Sequence, residues 1–341
     1  MNLKQHVKIA RNNTLSIFHN IKNKKFEEDP RSIYIGLTII IGLLLIVPPN
    51  VTWAVDRLNY LDYANYSHLT LGRYYESGLG TVFSNEPLFL LINIFLAFIF
   101  SPENVVRIII FSSTFLVLYN LGEKTNFSLW VLSFFVLIPQ FNKNHIIHLR
   151  QGLALGVYLL SLNQKDNKIS WLLKVLAVLI HTSIAFMILF ELLDCVIEKL
   201  KIKYKYKMLI VAALFLVFVN SFSLMSLFIA DRRFKEYTFS IATNASGLGF
   251  ILWFFVGIFF ITLAKRTYTN RLCFYGIIFY LVSYYFVEFG ARVFENVIPL
   301  IIVGMINEEN KKNRLLYIAF LIFYGFVQYY TLGGFNFYKI N

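Results

Sequence analysis

Arg150 and Gln151 lie in the stretch His145-Ile-Ile-His148-Leu-Arg150-Gln151-Gly152, inside a chain that is otherwise mostly apolar. An ionisable side chain at membrane depth is costly, and by default it marks a working site. The Arg150 guanidinium is always charged, and its planar fork suits bidentate contact with a phosphate. The plainer role is an interfacial arginine snorkelling to headgroups. His148 and Gln151 add hydrogen-bonding groups beside it. Gly152 and Gly156 follow in a GxxxG spacing that lets a neighbouring helix come close. His145 and His148 stand three apart, but the run lacks the carboxylate or third histidine of a metal site, so no metal or other cofactor is expected.

His181 interrupts a long apolar run and is followed by Thr182 and Ser183, whose hydroxyls can satisfy its ring or a bent backbone. Substrate contact or proton transfer near neutral pH is one role for it. A neutral ring bonded to a backbone carbonyl is the other. Glu288, Arg292 and Glu295 fall at i, i+4 and i+7, one face of a continuous helix. They form either an intramembrane ion-pair cluster or an arginine aimed at an anionic substrate with carboxylates tuning it.

Two polar stretches complete the candidates. Arg57-Leu-Asn-Tyr60-Leu-Asp62-Tyr63-Ala-Asn-Tyr66 combines charge with rings that stack on sugar faces and carboxylates that accept hydroxyl protons. An aromatic interface belt has the same composition. Asp231-Arg232-Arg233-Phe-Lys235-Glu236-Tyr237 suits a polyanionic headgroup or a solvated amphipathic loop.

The elements that must position these residues are helices in a bilayer. Hydrophobic residues make up 57% of the chain, charged residues 15%, and the mean hydropathy is +0.61, outside the balance of a soluble domain. Apolar runs of roughly 15–23 residues recur, near the length that crosses about 30 Å of hydrocarbon. The predicted fold is an all-α polytopic membrane protein with about ten to twelve transmembrane or re-entrant helices. The net charge of +13 sits in short blocks between apolar runs, the signature of topology rather than of a nucleic-acid partner.

Residues 1–31 read as a basic cytoplasmic arm, 32–332 as one transmembrane domain with outer loops at about 50–86 and 231–246, and 333–341 as a tail. The basic blocks at 199–207, 265–271 and 311–314 belong on the cytoplasmic side. Orientation of the middle is open. About eleven simple crossings put Arg150 inside; an interfacial 87–100 together with a bend at His181 puts Arg150 and His181 outside. The second arrangement is preferred. Cys195 and Cys273 have neither paired nor CxxC spacing. No nucleotide-binding loop occurs, and no internal symmetry suggests transporter repeats.

Taken in order, Asp62-Tyr63 with Asn65-Tyr66, Glu86-Pro87-Leu-Phe, Leu149-Arg150-Gln151-Gly-Leu-Ala154, Ile180-His181-Thr-Ser183-Ile-Ala185 and the late Arg292 make the chain resemble EpsG-like, Wzy-type bacterial polysaccharide polymerases. The resemblance covers roughly residues 56–299. The chain departs from the pattern at Tyr60-Leu61 before the Asp-Tyr pair and at Phe294-Glu295 after the late arginine. The resemblance implies a GT-C-like, metal-independent glycosyltransferase at the outer face of the bacterial plasma membrane. Its donor and acceptor would be undecaprenyl-pyrophosphate-linked oligosaccharide repeats, assembled into O-antigen, capsule or exopolysaccharide. Chain-length regulators and other envelope-glycan assembly proteins are the partners it implies, besides membrane lipids.

On that reading Arg150, Gln151 and Arg292, with Arg57, Arg232, Tyr63 and His148, bind substrate. Asp62, Glu86 or His181 orients the acceptor or takes its proton. A lipid-linked oligosaccharide flippase is the rival from another class, followed by an envelope glycan ligase and a membrane acyltransferase.

Overall fold

The computed structural model describes residues 29–48, 52, 54, 56–228, 247–264, 266–287 and 289–331, and the regular structure among these is helical throughout. The first half of the chain forms α1 (Pro30–Ile46), α2 (Arg57–Glu76), α3 (Leu79–Ser84), α4 (Pro87–Ala97), α5 (Pro102–Lys124), α6 (Leu129–Leu137), α7 (Pro139–Ile146) and α8 (Leu149–Leu162). The second half forms α9 (Asn167–Ile180), α10 (Ile184–Lys199), α11 (Tyr204–Phe228), α12 (Leu248–Leu263), α13 (Tyr268–Ser283), α14 (Phe289–Glu295), α15 (Ile298–Ile306) and α16 (Lys311–Thr331).

These outnumber the apolar runs because several runs break. The run 127–141 divides at Ile138, ahead of Pro139, which lacks the N–H to continue a helix. The run 292–306 divides at 296–297, ahead of Pro299 in the first turn of α15. The run 169–193 divides at His181. The stretch 50–86, expected as an outer loop, is instead largely α2 and α3. In α2, Arg57, Tyr60, Ala64 and Ser67 are buried at helical spacing, while Asp62, Asn65 and Tyr66 are exposed. Its polar composition hid an amphipathic helix.

α5 is the spine of the N-terminal half. The Tyr34 hydroxyl of α1 donates to the Leu118 carbonyl at 2.7 Å, and Gly42 sits under Phe111, where a Cβ would come within 2.9 Å of the ring, so α1 runs antiparallel to α5. α8 runs parallel to α5, with Gly156 so close that a Cβ would lie 2.8 Å from that of Leu116. The close approach expected of the GxxxG spacing is present. At the C-terminal end of α8, Asn163 donates to Asn120 Oδ1 at 2.9 Å, and Asn307 donates to the Lys124 carbonyl at 2.7 Å. The C-terminal ends of α5, α8 and α15 therefore share one end of the bundle.

α9 and α10 form a hairpin. Lys174 on α9 pairs with Glu191 on α10, which also accepts from the Tyr158 hydroxyl of α8 at 2.8 Å. The chain turns at His181, as the preferred folding of the middle requires. α9 has 14 residues and is about 21 Å long at 1.5 Å per residue. Its tip comes level with the N-terminal end of α8. Among the described residues, α5 and the 289–306 stretch are individually long and apolar enough to cross a bilayer. α4, with 11 residues, is about 16 Å long, half the hydrocarbon thickness.

Candidate functional site

Glu86 precedes Pro87 at the start of α4 with φ 60° and ψ 52°, the left-handed region that a side chain with a Cβ enters only at a cost of roughly 1–2 kcal/mol. Strained backbone of this kind clusters at functional sites. The strain turns the carboxylate inward, where it is 2% exposed. One oxygen accepts from Arg150 Nη1 at 2.5 Å, and the other meets His181 Nδ1 at 2.6 Å. An ionised carboxylate only accepts, so Nδ1 is the donor in this contact.

Arg150 Nη1 also donates to the Tyr63 hydroxyl at 3.2 Å, and the guanidinium lies over the rings of Tyr63 at 5.0 Å and Phe89 at 5.9 Å. Both Nη1 hydrogens are thus directed into the protein, while the Arg150 side chain remains 29% exposed and the His181 side chain 19%. The first helical bond of α8 runs from Gly152 to the His148 carbonyl, so the N–H groups of Leu149, Arg150 and Gln151 lie outside the ladder. His148 makes no side-chain cap bond, and the buried Tyr60 hydroxyl accepts from the Arg150 backbone N–H instead. This end of α8 and the guanidinium bring positive charge to one place.

A second group lies beside the first. Glu295, buried in α14, accepts from Lys143 Nζ of α7 at 2.9 Å and meets His148 Nδ1 at 3.2 Å. Between the groups, Gln151 Nε2 donates to the Arg292 carbonyl at 2.7 Å and to Asn296 Oδ1 at 3.0 Å, and Asn296 Nδ2 donates to Ser183 Oγ at 3.0 Å. This strap ties α8, the α14–α15 junction and the hairpin tip together. Close packing supports it: a Cβ on Gly152 would lie 2.1 Å from the Asn144 carbonyl.

The structure therefore gathers Glu86, Arg150, His181, Tyr63, Gln151 and His148. Of the other sequence candidates, Arg292 joins through its backbone carbonyl, which Gln151 reaches. Asp62 is on the exposed side of α2. Arg57 is buried, 1% exposed, beside the Tyr60 that bonds Arg150. Arg292 is exposed, while Glu295, expected beside it as a tuning carboxylate, is buried and taken by Lys143 and His148. Glu288 and Arg232, with the outer loop at 231–246, lie outside the described residues.

Sequence reasoning missed Lys143, which resembles a loop lysine, and Asn296, and it named the Ser183 hydroxyl but not its partner Asn296, remote in the chain. A polar side chain at the edge of an apolar run was the available signal for Asn296. Beside Glu86, an apolar groove of about 660 Å³ runs between α2, α3, α4 and α9, lined by Tyr75, Phe83, Pro87, Leu88, Leu91 and Leu179 among others.

Helices of this apolarity around a buried, charged centre define a helical membrane protein. The EpsG family profile matches residues 33–340, and the chain belongs to the EpsG family. No curated protein and no solved structure matches the chain. Membership points to a polysaccharide polymerase-like role.

Proposed function

We propose that this protein elongates envelope polysaccharide, transferring a glycan from an undecaprenyl-pyrophosphate donor to a lipid-linked repeat unit at the outer face of the bacterial plasma membrane. The observation that carries this reading is the joint placement of Arg150, Glu86 and His181. Breaking the anomeric carbon–oxygen bond develops negative charge on the pyrophosphate. The Arg150 guanidinium and the N-terminal end of α8 supply fixed positive charge there, in a site partly shielded from water. The acceptor hydroxyl must lose a proton, and His181 Nε2 is the group with a lone pair for it. Glu86 orients that imidazole and stabilises the cation it becomes. The apolar groove beside Glu86 suits the polyprenyl chain of the carrier.

Orientation follows from charge. The blocks at 199–207, 265–271 and 311–314 border α10, α13 and α16, at the end of the bundle where Lys124 and Asn307 meet. The positive-inside bias assigns that end to the cytoplasm. Arg150 and His181 are then about 20 Å away, two thirds of the way across roughly 30 Å of hydrocarbon and toward the outer face.

The test is the size ladder of surface and lipid-linked glycan in a deletion strain complemented with wild type or Arg150→Ala. A single repeat unit on the final acceptor, extended to polymer by wild type alone, is the expected result. Repeat units trapped at the inner face would identify a flippase instead. Full-length polymer left on its carrier would identify a ligase, and an unchanged ladder would refute a role in polysaccharide assembly.

A further inference from the structure

Glycine is the least favourable residue inside a helix after proline, so each one there needs a reason. Gly42, Gly152, Gly156, Gly276, Gly304 and Gly325 have one: a Cβ at each would come within 2.9 Å of another residue, and only glycine lets the neighbouring elements approach so closely. Gly72, inside α2, has no reason of that kind, because a Cβ there would meet nothing within 4 Å. It lines the apolar groove beside Glu86 instead. Gly36 of α1 is equally open but does not line that groove.

The wall that α2 gives the groove is His68, Leu71, Gly72 and Tyr75, one helical face at i, i+3, i+4 and i+7. Gly72 is a gap in that face, a notch flanked by longer side chains. α4 supplies Pro87, Leu88 and Leu91 to the same groove. The groove also reaches the charged centre. Pro87 follows Glu86, which holds Arg150 and His181, and Leu179 of α9 stands two residues before His181. A hydrocarbon chain joined to an anion on Arg150 has this groove within reach of its first units.

Resting on the polymerase reading above, we infer that Gly72 is a specificity-determining residue, whose notch selects the methyl-branched chain of a polyprenyl carrier over the straight acyl chains of bulk phospholipid. Acyl chains surround every helix in a bilayer, so an apolar groove by itself gives the carrier no advantage. Shape does. A branch methyl fills the notch and gains dispersion contacts with its walls, whereas a straight chain leaves that space without partner atoms. One methyl-sized group in an apolar pocket discriminates by about 10–200-fold. The selectivity comes with a weak position in α2, which is why glycine stands where alanine would make the better helix.

The experiment compares two lipids on the full-length protein in phospholipid nanodiscs: a short, reduced polyprenyl pyrophosphate and an unbranched alkyl pyrophosphate of equal main-chain length, which differ only in their methyl branches. Titrating each into the disc and following the thermal unfolding midpoint gives its apparent affinity. Wild type should bind the branched lipid at least about tenfold more tightly. Gly72→Ala, which puts a methyl in the notch, should bring that ratio toward one. Without ligand this variant should be as stable as wild type or more so, since the added methyl meets nothing and alanine is the better helix former. Gly36→Ala should gain stability in the same way and keep the wild-type ratio. Equal affinities in wild type, or a ratio unchanged in Gly72→Ala, would overturn this inference and leave the polymerase reading to the glycan ladder of Arg150→Ala. A wild type stabilised by neither pyrophosphate would overturn both.

Discussion

Arg150 holds more of the site together than any other residue. Its Nη1 group bridges Glu86 and Tyr63, and its plane lies over two rings. A lysine would keep the charge but could not bridge, stack and grip an anion at once. Arg150→Lys should therefore reduce polymerisation by about 10²-fold, the scale seen when one preorganised donor is removed. Protein level in the membrane should not change. The glycan ladder reads this directly, and a wild-type ladder from the lysine variant would mean that geometry at Arg150 does not matter. Arg150 was legible in the sequence because an arginine beside an apolar run is exceptional. Its partner Glu86 could be proposed from the Glu-Pro pair, but the contact between them spans 64 positions and no spacing rule predicts it. Lys143 and Glu295, separated by 152 positions, escaped for the same reason. Local spacing instead pointed Glu295 toward Arg292.

At the scale of elements, the α9–α10 hairpin decides where His181 stands. Lys174 and Glu191 clamp its two arms, with side chains only 8% and 10% exposed, and Lys174 also lies 5.0 Å from the Trp171 ring. Removing one member of a buried pair leaves the other charge uncompensated, at a cost of about 3–5 kcal/mol. Lys174→Met should lower stability by about that amount in thermal unfolding of the nanodisc-embedded protein. Combining it with Glu191→Leu should restore part of the loss, the rest reflecting the Tyr158 hydroxyl left without its acceptor. A single variant as stable as wild type would show that packing alone holds the hairpin. The break at His181 could be read from a histidine in an apolar run. The pairing across the hairpin could not, because Lys174 and Glu191 both look like ordinary helix-flank charges in a one-dimensional pattern.

At the scale of the whole molecule, the orientation proposed from the positive-inside bias can be tested. With Arg31 donating to Tyr119 at 2.8 Å, the start of α1 lies at the Lys124 end of the bundle, and α1 climbs away from it along α5. Cysteines added one at a time to a Cys195→Ala background, in which the remaining Cys273 is buried, test this with a membrane-impermeant thiol reagent on intact cells. Ser77→Cys, in the exposed turn after α2, should label from outside, and Lys312→Cys at the start of α16 only after the membrane is opened. The reverse pattern would place Arg150 and His181 on the cytoplasmic side and remove them from an outer-face reaction.

Composition alone determined that this is a helical membrane protein, since few arrangements of a chain so apolar satisfy its backbone away from water other than helices. Local pattern also marked Arg150, His181 and the Gly152–Gly156 approach, because charge and small residues stand out against hydrocarbon. Tertiary structure decided the rest. It made an amphipathic helix of a polar loop, buried Arg57, left Asp62 on the exposed side of that helix, and brought residues as distant as Glu86 and His181 into contact. Such contacts depend on how helices of unequal length pack side by side, and a periodicity that repeats every few residues carries no information about which distant turn will lie opposite.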